Sequence, residues 1–443
     1  MKISRRSFLT SASATAASLP FIVPSQVWGA QTKPSDRLTM GFIGVGKQNR
    51  GLLNGFLHRD TRVLAVCDVD TTRRNTAQKT VNDHYKQTSG CDAYNDYRKI
   101  IARKDIDAVC IATPDHWHAI ITVEALKAGK DVYCEKPLTH NIHEAIEVMN
   151  AAKANGSILQ TGSMQRSSSE FRTACELVQN GAIGKLIKVE CEFGDPWRPC
   201  DLPGEPMEPG LDWDMWQGPA PVRPYNSILS PRGNHNHYPR WRNYSEYGGG
   251  MVTDWGAHHL DIAQWGMGMD HSGPVKVLPA PEGTKAKRGV TLVYASGVTV
   301  THKSGLHGFG IHFFGTEGEV QVNRGKFAFT RNGKLVSKFA NREDGGSLIL
   351  ATRKAQKEYL ANAKIKLYKS SNHQDDFLTC VKTRKKPITS EIVGARSAIC
   401  CHLMNLAYAH GETMKWNPAK NKFIGGTGNP AWLTRDYRSP WNV

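Results

Sequence analysis

Gly44-Val45-Gly46-Lys47-Gln48-Asn49-Arg50-Gly51 stands between an apolar run, Leu38 to Ile43, and a segment of helical periodicity, Gln48 to His58. A glycine turn between a strand and a helix is where a doubly wound sheet receives a dinucleotide. Gly44 permits the tight turn, and Gly46 lets backbone amides approach a pyrophosphate at the positive end of the helix. The third glycine of the G-x-G-x-x-G pattern is Asn49 here, so helix and strand separate slightly or Asn49 does other work. Asp68 closes the next strand, Arg62 to Cys67, where a carboxylate holds a ribose diol and repels a 2′-phosphate. Gly44, Gly46, Asn49, Arg50 and Asp68 are therefore candidate cofactor residues, and NAD is favoured over NADP.

Outward from this turn, strands alternate with helices. Asp107 to Ala112, Asp131 to Cys134 and Ile158 to Thr161 read as further strands. Thr71 to Lys86, Trp117 to Ala128 and His140 to Ala154 read as helices, the last two stopped by Gly129 and Asn155-Gly156. The pattern predicts an α/β fold with an N-terminal doubly wound parallel sheet over about residues 35–161. A second, α+β domain over 162–443 follows, with short strands from Lys185 to Phe193 and from Val290 to Thr330 forming an open, mostly antiparallel sheet. Between them runs a long Pro-, Gly- and aromatic-rich loop, 194–250, whose Trp and Tyr content argues against disorder.

A chain of 443 residues with 40% hydrophobic content is too long for one core, and its composition excludes a disordered tail, a collagen-like rod and a coiled coil. The net charge of +17 comes from scattered Lys and Arg, which read as a solvated surface rather than a nucleic-acid site; an acidic glycan is a further candidate partner. The ten cysteines show no C-x-x-C pair. Cys67, Cys110 and Cys134 sit in apolar runs and read as reduced core residues. Ser4-Arg5-Arg6-Ser7-Phe8-Leu9, a weakly apolar stretch to Val23 and Gly29-Ala30 read as a twin-arginine export signal over residues 1–30. The apolar stretch is too short and hydroxyl-rich to span a membrane, so an exported, periplasmic product with no stable membrane insertion is expected.

Three further motifs carry chemistry. Thr113-Pro114-Asp115-His116-Trp117-His118 and Glu135-Lys136-Pro137 each follow a strand of the parallel sheet, at the carboxyl ends where open sheets place ligands. Thr113, Pro114, His116, His118, Glu135 and Lys136 are candidate cofactor residues on that ground, and Gln165 joins them. Helical spacing over Met251 to Trp265 puts Asp254 and His258 one turn apart, so the carboxylate can orient the imidazole as a base. A metal is disfavoured, because His258 and His259 point in different directions on a helix. In the aromatic loop, Trp197 and Tyr238 offer flat faces to a sugar ring, and Tyr238 or His237 is a candidate extra acid or base.

Together these residues resemble the glucose-fructose oxidoreductase, inositol dehydrogenase and rhizopine-catabolism superfamily, Gfo/Idh/MocA. The resemblance runs from Gly44 through Glu135-Lys136-Pro137 and Asp254 to Asp261 to the closing Tyr437-Arg438-Ser439-Pro440-Trp441. It implies that Lys136 contacts substrate and nicotinamide, that Asp254 and His258 handle the proton, and that Asp261 supports them. Asn49 and His259 depart from the family pattern.

The expected function is NAD-dependent oxidation or reduction at a secondary hydroxyl of a sugar or glycoside, with Lys136, Asp254 and His258 catalytic and Lys136, Trp197, Tyr238, Asp254 and His258 binding substrate. The alternative is a glycosidase that oxidises, eliminates, hydrates and re-reduces with no net change in NAD. The family's open sheet commonly joins subunits, and an apolar exposed face on it is expected, giving a homodimer or homotetramer. An exported enzyme meets no replenished nicotinamide pool, so NAD is expected to be tightly bound.

Overall fold

The computed structural model describes residues 37–443; the expected export signal lies outside them. The first sheet consists of β1 (Leu38–Ile43), β2 (Thr61–Cys67), β3 (Asp92–Tyr94), β4 (Ala108–Ile111), β5 (Asp131–Cys134) and β6 (Leu159–Thr161). Its order is β3-β2-β1-β4-β5-β6, and every pairing is parallel. All residues of β4 and β5 are buried, as expected of strands covered by helices on both faces. The helices begin where the chain supplies acceptors: Asp70 caps Thr71–His84 by accepting from the backbone of Thr72 and Arg73, and Asn141 caps Ile142–Asn155. Strand order reverses between β1 and β4, so a crevice opens there at the carboxyl ends.

The second sheet has ten strands: β7 (Leu186–Glu192), β8 (Lys276–Leu278), β9 (Thr291–Val293), β10 (Thr299–Lys303), β11 (Ile311–Gly315), β12 (Gly318–Asn323), β13 (Lys326–Arg331), β14 (Lys334–Phe339), β15 (Met414–Asn417) and β16 (Lys422–Phe423). They run β14-β13-β12-β11-β7-β10-β9-β8-β15-β16, antiparallel except for β7 with β10. Helices Ser169–Gln179, Gly256–Gly266, Leu348–Tyr359 and Glu391–His410 pack on it. Alternation sends Val189, Cys191, Val300, Ile311 and Phe313 into that core. The opposite face carries Lys188 paired with Glu190 and His312 paired with Glu319. The expectation of an apolar open face is therefore corrected: a sheet covered on one side only turns its polar residues outward.

Two local features differ from the sequence expectation. The helix expected over Met251 to Trp265 is two helices, Gly250–Asp254 and Gly256–Gly266, meeting at Trp255. The aromatic loop forms its own small core, in which Trp216, Tyr225, Trp241, Tyr244 and Tyr247 are buried together. Its free cysteine, Cys200, is half-buried, while the other nine free cysteines are buried.

A buried charge cluster fastens the helix Gly256–Gly266 to the rest. Arg166 meets Asp261 through two nitrogens, at 2.8 and 2.9 Å, and also Asp270 at 2.7 Å, while Ser397 donates to Asp261. Arg166 and Asp261 are 1% and 0% exposed, so neither charge can fall back on water. Asp261→Ala should lower stability by about 3–5 kcal/mol, the range for breaking one side of a buried pair, read as a clear fall in thermal midpoint; an unchanged midpoint contradicts this role.

Candidate functional site

The crevice begins at Gly44, whose φ of +74° belongs to glycine and where a Cβ would stand 2.8 Å from the backbone nitrogen of Thr113. A Cβ at Gly46 would meet no atom within 4 Å, and Gly46 lines the crevice: the space beside it is left for something other than protein. Thr113 lines the same crevice with a buried hydroxyl that has no partner. Open room at the head of a helix and an orphan hydroxyl fit a dinucleotide.

Asp68 also lines the crevice, and its two oxygens accept from the backbone of Val45 (2.8 Å) and Asp70 (2.9 Å). Burial raises its pKa from the ordinary value against the opposing pull of Arg73 and these amides. A carboxylate has about four lone-pair sites, so Asp68 can hold the glycine turn and still accept from a ribose. Asn49 does different work. It is fully buried, donating to the carbonyls of Ile43 (3.3 Å) and Gly44 (3.0 Å) and accepting from the Cys110 thiol; it locks helix to strand where the third glycine would stand, and it does not line the crevice.

Beyond Asp68 the aromatic loop folds over the crevice. Asp70 pairs with Arg232 and accepts from the Gly233 backbone at 2.9 Å. Arg73 donates to the carbonyls of Gly233 and Pro231. Lys47 and Arg50 donate to the carbonyls of Asn236 and His235, and Asn95 donates to Asp212 at 2.7 Å. Arg50 thus fastens this strap and does not line the crevice. Pro114 lines it, together with Trp117, Met215 and Trp216. His116 is turned away, with Nε2 on the Trp216 carbonyl at 3.0 Å, and burial pushes its pKa down to about 3.

A second pocket adjoins the first and shares Gln48, Thr113, Tyr238 and Arg242 with it. Here Lys136, at the end of β5, pairs with the Asp254 carboxylate and donates to the Asp254 carbonyl at 3.0 Å. Arg242 stands 3.6 Å from the other Asp254 oxygen. Burial works against ionisation of Asp254, but Lys136 and Arg242 outweigh it and hold the carboxyl below the ordinary range. The expected Asp254–His258 pair is not what forms: the carboxylate turns to Lys136, while His258 Nε2 accepts from Arg324 Nη2 at 3.0 Å. Gln165, with its amide turned to satisfy both neighbours, donates to the His258 carbonyl and accepts from Arg324 Nε at 3.2 Å.

On the opposite wall Tyr238 donates to Gln48 (3.0 Å), and Gln48 donates to Glu135 (2.9 Å). His118 lines this pocket, its ring nitrogens 2.7 and 2.9 Å from the carbonyls of Pro137 and Thr113. Trp197, His237 and His259 line neither pocket; His259 Nδ1 is held 2.6 Å from the Glu192 carbonyl. Sequence reasoning missed Lys47, Gln48, Arg73, Arg242 and Arg324 as site residues. Lys47 and Gln48 lie inside the glycine motif, but Arg242 sits in a single 3-10 turn, Arg240–Asn243, and Arg324 in a β-turn, neither of which carries a local signal. Among the described residues no group of three or more His, Cys, Asp or Glu is placed to hold a metal, and no helix is long and apolar enough to cross a membrane.

Residues 38–163 match a family model described as an oxidoreductase family with an NAD-binding Rossmann fold, and residues 170–320 match the C-terminal alpha/beta domain of that oxidoreductase family. Among curated proteins, a glycosyl hydrolase family 109 protein of Shewanella sp. (strain ANA-3) is 27% identical over 216 residues, 43% of this chain and 45% of the relative. Inositol 2-dehydrogenase 4 of Saccharopolyspora erythraea is 25% identical over 272 residues, 60% of this chain and 65% of the relative. The match to the Shewanella relative thus spans about half of that relative's length. Among solved structures, the fold is similar to aldose-aldose oxidoreductase from Caulobacter crescentus complexed with glycerol, 18% identical, covering 86% of this chain and 99% of that one with a TM-score of 0.56. Levoglucosan dehydrogenase in complex with NADH and levoglucosan has the same TM-score and coverage at 17% identity.

Burial, then the charges of Lys136 and Arg324, push the His258 pKa well below 6.5. A base whose pKa is depressed stays unprotonated, and therefore competent, until the pH falls through that lowered value. The acid limb of kcat/KM should accordingly lie below pH 6.5; a limb at or above it contradicts His258 as the base.

Proposed function

The chain belongs to the Gfo/Idh/MocA family of NAD-binding oxidoreductases, and from that premise we propose that it oxidises or reduces a secondary hydroxyl of a sugar or glycoside. The observation that carries the proposal is the gathering of Lys136, Asp254 and His258 in a pocket that shares a wall with the glycine-turn crevice. Bound NAD supplies the hydride acceptor, held by Gly44, Gly46, Asp68 and Thr113. An ammonium has three donors; Lys136 spends two on Asp254 and keeps one for the substrate oxygen, whose ionisation its charge favours. His258 Nε2 takes the hydroxyl proton when the substrate replaces Arg324 on that lone pair. Asp254 positions Lys136 rather than His258.

NAD is preferred to NADP because Asp68 would stand against a 2′-phosphate. The strap of Arg232, Gly233, His235 and Asn236 supports slow cofactor exchange, since leaving requires many hydrogen bonds to open together. That suits the twin-arginine signal and a periplasmic product, which would carry NAD out bound. A homodimer or homotetramer belongs to the same proposal; a monomer mass by light scattering contradicts it.

A second reading, the redox-neutral glycosidase, is favoured by one observation: Tyr238, 49% exposed, lies in the wall common to both pockets, where a phenol can serve as an added acid or base. The partial match to the glycosyl hydrolase family 109 relative supports it. Release of an aglycone from a chromogenic glycoside with no net NADH selects this reading; NADH formed in proportion to sugar consumed selects the dehydrogenase.

Lys136→Met and His258→Ala should each lower kcat by about 10²-fold or more while the purified variants still carry NAD. Near-wild-type rates in both reject the assignment. Dialysis of the wild type should leave NAD in place for hours; loss within minutes, with activity then requiring millimolar added NAD, contradicts retention.

A further inference from the structure

Arg324 is the cation of the substrate pocket that the proposed hydride transfer does not account for. It sits at the turn between β12 and β13, stacked over the Trp255 ring with 4.8 Å to the centroid. Its Nη2 donates to His258 Nε2 and its Nε to Gln165, both neutral partners. Among the described residues no carboxylate lies within 4.0 Å of its nitrogens. Partial burial lowers its pKa from the ordinary value, against the opposing pull of Glu135 and Asp254 at longer range.

The other two cations of the pocket each stand beside a carboxylate. Lys136 and Arg242 share Asp254. Burial raises the pKa of Asp115 and of Glu135 from the ordinary value, and neither carboxylate is within 4.0 Å of Arg324. Glu170 turns Oε1 to the backbone N–H of Gly325 at 3.3 Å. One guanidinium, with donors to spare and none of the described carboxylates within 4.0 Å, therefore faces the space beside His258. A guanidinium is shaped for two-point recognition of a carboxylate.

Resting on the oxidoreductase reading and narrowing its substrate, we propose that Arg324 binds a carboxylate of the substrate, making sugar acids, the uronates, the preferred class. One planar guanidinium fork matches the two coplanar oxygens of a carboxylate better than the tetrahedral oxygens of a phosphate. The formal net charge of +17 on the chain favours approach of such an anion. When a uronate binds, Arg324 turns from His258 to the carboxylate and frees Nε2 for the substrate hydroxyl, so recognition of the acid and exposure of the base are one motion.

The test is calorimetric titration of the NAD-loaded protein with glucuronate, galacturonate and mannuronate against glucose, galactose and mannose, with glucose 6-phosphate alongside. In the wild type at least one uronate should bind about ten-fold more tightly than its neutral partner. In Arg324→Gln that ratio should fall to near one, and Arg324→Lys should restore part of it. The ratio is the readout because any disturbance of His258 acts on both sugars of a pair. Retained NAD reports that the variants are folded. Equal affinities in the wild type, or a ratio unchanged in Arg324→Gln, overturn the proposal, and tighter binding of glucose 6-phosphate than of every uronate overturns the choice of carboxylate. Failure of the oxidoreductase reading looks different: the uronate binds through Arg324 but no sugar yields NADH or turns over. Oxidation of neutral sugars with no acid preference is the converse.

Discussion

Lys136 and Asp254 stand 118 residues apart and meet in one ion pair, 15% and 17% exposed. The lysine follows a strand of the parallel sheet, and the aspartate ends a short helix of the second domain. Each charge would be costly alone at that depth, so their pairing ties the cofactor side of the site to the substrate side. It also decides what the lysine can do. With two donors committed, its third is aimed by the protein rather than by solvent.

The glycine turn imposes a parallel constraint on the cofactor side. Gly44 must be glycine because Thr113 leaves no room for a side chain, and Asn49 then replaces the missing glycine contact by hydrogen bonds to the turn it follows. Asp68 closes the arrangement by accepting from Val45. Over this rigid base lies the strap, held by Asp70, Arg73, Lys47 and Arg50. Four residues from the Rossmann helices thus recruit a loop of the second domain, and the crevice becomes enclosed from both.

The parallel sheet and the order of its helices were legible because apolar runs, caps and stops recur along residues 38–161. So were the glycine turn, Asp68, and the two motifs that contain Lys136 and His258. What local pattern did not carry was the pairing among them. Helical spacing matched Asp254 to His258, yet Lys136 and Arg242, distant in sequence, claim the carboxylate. Arg242 and Arg324 escaped notice because an arginine in a loop or turn has no periodicity, and its importance arises only from what folds against it. His116 and His118 stood in a motif at a strand's end, but their ring nitrogens are held by backbone carbonyls. Trp197 shows the same limit: aromatic content marked the loop as ordered, without saying which rings face the pocket. The strands β14 to β16 and the helix Leu348–Tyr359 lie in Lys-rich sequence whose weak apolar pattern tertiary contact completes.

The central claim is that the crevice and the adjoining pocket form one path from cofactor to substrate. A crystal structure of the protein with NAD and a bound sugar tests it most directly. The account predicts the pyrophosphate at Gly44 and Gly46, the adenosine half beneath the strap, and the nicotinamide at the shared wall, with its reactive carbon about 3–3.5 Å from a sugar carbon whose hydroxyl meets Lys136 and His258. A nicotinamide directed away from the Lys136–Asp254 pair, or a sugar held outside the pocket of His258, would contradict it.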